Sequence, residues 1–319
     1  MATLRVPNEV PSPAQDSETI HNAFRGWGTD EKAIIRVLGQ RNENQRKRIR
    51  ETYREKYGKD LIDALTAELS GDFMKAVILW TYDPAERDAR SLNKALKEKK
   101  KRIEALKVIV EISVTTSPHH LIAVRKAYCS LYDLSLEEHI ASSQPFPLAK
   151  LLVTLASSFR YDKDKTDEEV ATIEAGMLRE AITMKQLDHD HVLYILGTRS
   201  VYQLRETFAA YKKNYENTID KDVGECPGDA ELRSLLQMVI LCIDYPEKHF
   251  AKVVRDSIEG FGTDEDALTR AIVTRAEIDL MKVRGEFYNM YNSSMDNAII
   301  GDVSGDYKDF LITLLGSKI

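Results

Sequence analysis

The amino-acid sequence predicts an all-α fold made of four copies of one helical unit. Two observations carry this. A single ruler of aromatic and apolar positions fits the chain in four registers, and stretches that read as strands are almost absent. From origins at Thr29, Glu104, Leu187 and Thr263, aromatics stand 24 and 28 residues on in every register: Tyr53 and Tyr57, Tyr128 and Tyr132, Tyr211 and Tyr215, Phe287 and Tyr291. Apolar residues follow at 32 and 36: Leu61 and Leu65, Leu136 and Ile140, Ile219 and Val223, Met295 and Ile299. Twelve residues after the origin stand Arg41, Arg199 and Arg275, with Thr116 in the second register. Origins roughly 80 residues apart make four repeats that fill nearly the whole chain.

The repeats are expected at 15–84, 85–158, 165–245 and 246–316, after a short N-terminal region, 1–14. Polar breaks at Gly58 and at Asn292-Ser293-Ser294 interrupt the apolar ladder, so each repeat reads as several short helices. In the first repeat these fall at 31–38, 44–57, 61–69 and 73–80, with Trp80 in the core. The longest polar gap, 160–167 (RYDKDKTD), is expected to separate two halves.

Composition excludes some functions. A net charge of −6 over 319 residues does not call for nucleic acid. Three dispersed cysteines, Cys129, Cys226 and Cys242, show neither a disulfide framework nor zinc spacing, which favours a reducing compartment. The N-terminus has no hydrophobic signal core, and no apolar run approaches the roughly 18 residues of a spanning helix. A cytoplasmic protein with peripheral membrane contact is expected.

The chemistry lies in two loops, Arg25-Gly26-Trp27-Gly28-Thr29-Asp30-Glu31 and Glu259-Gly260-Phe261-Gly262-Thr263-Asp264-Glu265. Paired glycines let several carbonyls point to one side, half of a site for a hard cation. Thr263 is expected to cap the helix that follows, with Asp264, Glu265 and Asp266 at its positive end. The missing carboxylate stands 39 residues after the threonine, as Glu68 and Asp302. The second and third repeats have Ser143 and Cys226 there and no glycine loop. Both halves of the site are present together or lost together, which a mere capping turn does not explain.

These features together resemble the annexins, over residues 15–316; the Trp27 loop and short N-terminal region resemble the plant branch. The resemblance implies four five-helix repeats in a curved disc, with convex-face Ca2+ loops that bind acidic phospholipid membranes. It implies that the carbonyls of Phe24, Gly26 and Gly28 act with Glu68, and those of Ile258, Gly260 and Gly262 with Asp302. Auxiliary sites pair the Thr29 carbonyl with Glu31 and the Thr263 carbonyl with Glu265. Trp27 and Phe261 are the expected membrane contacts at the loop tips, with Arg25 beside them. One carboxylate per loop implies weak intrinsic Ca2+ affinity, raised reciprocally by lipid.

Repeat two carries a basic run, Lys99, Lys100, Lys101 and Arg102, in place of the loop. It reads either as a solvated helix face or as a Ca2+-independent contact worth on the order of 1 kcal/mol per basic residue near anionic lipid. The pair His189 and His191 reads more simply as an exposed helix start than as a transition-metal site. Other activities discussed for plant members are poorly matched: Gln40 stands at the haem-type histidine position, Val114 where Cys242 needs a partner, and Leu193-Tyr194-Ile195 in place of an actin-like motif. Asp302-Val303-Ser304-Gly305 fits a nucleotide pattern, but no phosphate-binding glycine loop accompanies it. The expectation is a binding protein and not an enzyme, the alternatives being a Ca2+-permeable or redox-linked membrane protein and a nucleotide hydrolase. Self-association on membranes and actin binding stay open.

Overall fold

A computed structural model describes every residue except Trp27, Phe261, Lys318 and Ile319. Among the described residues it holds twenty α-helices and no strand. They form four sets of five. The first repeat holds α1 (Pro13–Ala23), α2 (Glu31–Leu38), α3 (Glu43–Tyr57), α4 (Leu61–Glu68) and α5 (Gly71–Thr81). The second holds α6 (Pro84–Lys97), α7 (Arg102–Thr115), α8 (Pro118–Tyr132), α9 (Leu136–Ser143) and α10 (Leu148–Ala156). The third holds α11 (Glu168–Thr183), α12 (Asp190–Thr198), α13 (Val201–Tyr215), α14 (Ile219–Glu225) and α15 (Ala230–Asp244). The fourth holds α16 (Pro246–Ile258), α17 (Glu265–Arg275), α18 (Leu280–Tyr291), α19 (Met295–Asp302) and α20 (Gly305–Leu314).

The four helices read from the first repeat are α2 to α5, with only their ends moved. Helix α1 lies outside the four expected spans, although its start is signalled. Ser12 and Gln15 form a reciprocal capping box, and Pro13 stands at the first turn, where its missing N–H costs nothing.

The aromatic ruler becomes one repeated contact. Ring centroids lie 4.8 Å apart for Tyr53–Tyr57, 4.8 Å for Tyr128–Tyr132, 5.0 Å for Tyr211–Tyr215 and 4.9 Å for Phe287–Tyr291. The first ring of each pair is buried, as are both apolar residues that follow at 32 and 36. Immediately after the second ring the chain turns left-handed in all four repeats, at Gly58, Asp133, Glu216 and Asn292 (φ 67°, 52°, 57° and 50°). That residue ends one helix and reverses the chain into the next, and three of the four copies do so with a side chain.

The chain divides into two compact units, Met1–Arg87 with Glu247–Ile319, and Asp88–Pro246. This corrects the expectation that 160–167 separates two halves, because that segment lies inside the second unit. Its Arg160 is buried and donates to the carbonyls of Leu196 and Arg199, so the polar stretch is tied to the third repeat.

The first unit joins repeats one and four around a shared core. Phe73 of α5 meets Phe310 of α20 edge-on at 6.1 Å. Trp80 is fully buried, as expected, and its indole donates to the Leu38 carbonyl at 2.7 Å while the Arg46 guanidinium stacks on it at 3.6 Å. The N-terminal region belongs to this unit: the Thr3 hydroxyl donates to the Leu314 carbonyl at 2.7 Å, and its backbone N–H to that of Ala276. The second unit packs α7 against α15, and Arg102 pairs with Glu231 there. No helix among the described residues is long and apolar enough to cross a membrane.

Candidate metal centre

The paired glycines of the two loops take matching backbone angles. Gly26 and Gly28 lie at φ 123° and 85°, Gly260 and Gly262 at 118° and 94°. A side chain is strained at each of these angles, so the spacing of the glycines is dictated by the turn. One hydrogen bond closes each loop, from Asp30 N–H to the Ala23 carbonyl at 2.9 Å and from Asp264 N–H to that of Ser257 at 2.8 Å. Among the described residues, no hydrogen bond reaches the carbonyls of Phe24, Gly26, Gly28, Ile258, Gly260 or Gly262. Trp27 and Phe261 lie outside the described residues.

The threonines serve differently from the expectation. The N-caps are Asp30 and Asp264, whose carboxylates accept from Ala33 and Ala267 N–H at 2.9 and 3.0 Å. Thr263 therefore does not cap α17. Its hydroxyl donates to Asp302 Oδ2 at 2.6 Å, and that of Thr29 to the Glu68 main-chain carbonyl at 3.2 Å. Aspartate caps better placed one residue later free each threonine to reach the end of the fourth helix, 39 residues on. Glu68 and Asp302 are exposed at the ends of α4 and α19.

A pocket of about 400 Å³ inside the first unit brings Glu68 and Asp302 to one groove, with Glu31, Glu265, Asp72 and Asp306 on its walls. The Lys75 ammonium beside it pairs with Asp72 at 2.9 Å, which holds its pKa above the usual lysine value. The Tyr307 hydroxyl, pushed up by burial, meets Thr269 at 2.8 Å and donates to the Glu265 carbonyl at 3.2 Å. Sequence spacing gave no sign that repeats one and four share this groove.

The loops of the other repeats are closed on themselves. In repeat three, Gln186 N–H takes the Ala181 carbonyl at 2.9 Å and Lys185 turns left-handed at φ 60°. In repeat two the Glu98 carboxylate accepts from Lys100 and Lys101 N–H, which draws its pKa down. Lys99, Lys100 and Lys101 are exposed, whereas Arg102 is half-buried against Glu231. His189 caps α12 with its ring, and the neighbouring Asp190 pairs with Lys150 at 2.6 Å.

Among the described residues, no three His, Cys, Asp or Glu side chains are placed to share a metal ion. The donors the loops offer are backbone and carboxylate oxygens, a set that suits a hard ion with flexible coordination better than a transition metal.

The fold and the loops define the class. An annexin family model matches residues 15–80, 173–238 and 249–314, and the chain belongs to the annexin family. It is a plant-type annexin. It is 83% identical to Annexin D3 of Arabidopsis thaliana over the full length of both chains. Among solved structures, annexin III superposes with a TM-score of 0.92 at 33% identity, covering 100% of this chain and 98% of the other. A calcium-bound annexin (Sm)1 superposes at 0.85 with 28% identity, covering 99% and 93%. Ca2+ is the cofactor of the family, and the all-oxygen donors on this chain fit it.

Proposed function

We propose that the protein binds acidic phospholipid membranes in a Ca2+-dependent manner through the loops of repeats one and four. One observation carries the reading: two loops whose paired glycines take matching positive φ, each with three carbonyls free of hydrogen bonds among the described residues, each tethered by its threonine to the residue that supplies the carboxylate. Phe24, Gly26, Gly28 and Glu68 form the first site, and Ile258, Gly260, Gly262 and Asp302 the second, with Thr29 and Glu31, and Thr263 and Glu265, as auxiliaries. When bound, the ion supplies positive charge and open coordination positions for a lipid phosphate oxygen. The tie from Thr263 holds Asp302 toward its loop, which supports a loop role over a nucleotide contact for that segment. Trp27 and Phe261, between the glycines, are proposed to enter the membrane interface, Trp27 with an apolar ring and an N–H suited to that boundary and Phe261 with a purely apolar ring.

The test is vesicle co-sedimentation of Glu68→Gln/Asp302→Asn. The amides keep side-chain size and remove the charge. Ca2+-dependent pelleting should collapse while helical content stays constant. A double variant that still pellets at the wild-type Ca2+ concentration overturns the site assignment.

A further inference from the structure

A second pocket, of about 490 Å³, opens in repeat one between the last turn of α1 and the first turns of α2. Arg25 and Arg36 line it with Asn22, Thr19, Thr29 and Asp30. Most of its polar groups are already engaged. Thr19 donates to the Gln15 carbonyl, Thr29 to that of Glu68, and Asp30 accepts from Ala33 N–H. Among the described residues, the Arg25 and Arg36 guanidinium groups and the Asn22 amide make no hydrogen bond or ion pair. Three sets of unused donors thus face one open volume, with Asp30 as the single carboxylate.

The other repeats do not share this arrangement. At the positions of Arg25 and Arg36 they carry Lys100 and Glu111, Thr183 and Tyr194, and Glu259 and Arg270. In repeat four, Glu259 is also neutralised by Arg255 at 2.8 Å. Only repeat one places two basic residues there, and among the described residues it leaves them unpaired.

We propose that this groove is a metal-independent site for a phosphate monoester. The inference rests on the membrane-binding reading and names a headgroup chemistry for it. Two guanidinium forks present planar, bidentate donors over a groove whose net charge with Asp30 is +1, and this number of donors calls for an anion with more than two acceptor oxygens. A diester phosphate carries a single charge on two free oxygens. A monoester carries three terminal oxygens and a charge of about −1.5 to −2 at pH 7, which matches two forks and an amide. Phosphatidate supplies that group on a membrane, and glycerol 3-phosphate supplies it in solution.

The experiment is vesicle co-sedimentation in chelator and in Ca2+, comparing phosphatidate with phosphatidylglycerol at matched surface charge. Arg36→Gln is the variant, since Arg36 is exposed and lies outside the proposed metal loops; Arg48→Gln, an exposed arginine on α3, controls for charge alone. In chelator the wild type and Arg48→Gln should prefer phosphatidate by about tenfold, the scale of a charge-assisted hydrogen bond, and Arg36→Gln should lose the preference. Competition by glycerol 3-phosphate assigns the soluble monoester as a source, and binding that only phosphatidate vesicles support assigns the lipid. Equal preference in wild type and Arg36→Gln, or none in either, overturns the proposal. Ca2+-dependent binding to phosphatidylglycerol reports separately on the membrane-binding reading, so loss of that arm in the wild type sinks the reading itself.

Discussion

Thr263 Oγ1 donates to Asp302 Oδ2 at 2.6 Å, whereas the matching Thr29 reaches only the main-chain oxygen of Glu68, at 3.2 Å. The fourth-repeat carboxylate is therefore oriented by a side chain, and the first-repeat carboxylate is left to rotate. Thr263→Val should raise the Ca2+ needed for half-maximal vesicle binding by about tenfold or more, since a hydrogen bond to a charged group contributes about 1.5–3 kcal/mol. Thr29→Val should shift it less. Equal shifts in Ca2+ titrations of the two variants would show that the asymmetry has no functional weight.

Trp27 is one of two tryptophans, and the other, Trp80, is fully buried. Ca2+ with acidic vesicles should therefore blue-shift the emission of Trp27 against a constant background. Trp27→Phe should abolish the shift. A shift that survives this change would place the reporter elsewhere.

The left-handed turn after each aromatic pair favours glycine, yet Glu216 occupies it at φ 57°. Glu216→Gly should stabilise the second unit by about 0.5–1 kcal/mol, and Gly58→Ala should destabilise the first by a similar amount. Urea denaturation of each variant measures this; a destabilised Glu216→Gly contradicts it.

Arg41 and Asp16 form a bidentate pair at 2.7 and 2.8 Å, with both side chains buried. Removing one partner strands a buried charge, so Asp16→Ala should cost about 3–5 kcal/mol. The corresponding Arg275 shows how the fold adapts. Its partner position holds Phe250, on which the guanidinium stacks at 4.5 Å, and Asp279 supplies the carboxylate at 2.6 Å. A loss under 1 kcal/mol on Asp16→Ala would count against the pair as a structural tie.

His139 Nδ1 lies 2.5 Å from the Tyr128 hydroxyl, and burial, with Lys97 adding to it, lowers its pKa. The folded state then binds this proton less readily than the unfolded chain. The contribution is present above the unfolded value, about 6.5, and is lost as pH falls through it toward the folded pKa. His139→Asn should flatten the dependence of stability on pH in that window. Unchanged slopes in denaturation series from pH 7 to pH 5 would assign the dependence to other groups.

Much of this was legible in the residues. The ruler of aromatic and apolar positions gave the all-α class and four repeats, because burial at helical spacing is a local property of each segment. The glycine loops were legible for a similar reason: positive φ at Gly26, Gly28, Gly260 and Gly262 restricts residue type position by position. The α1 start is equally local, in Ser12, Pro13 and Gln15.

Tertiary structure decided the rest. Which repeats share a unit depends on how apolar faces fit across long separations, so Phe73 met Phe310 and the break did not fall at 160–167. Spacing also left open which oxygen each threonine would take, since Asp264 had first to claim the helix N-terminus before Thr263 could turn to Asp302. The common groove of Glu68 and Asp302 and the placing of Arg25 and Arg36 along one groove of repeat one have the same origin. A side chain's partners are fixed by what the fold brings beside it, and a single sequence states only what that side chain is able to accept.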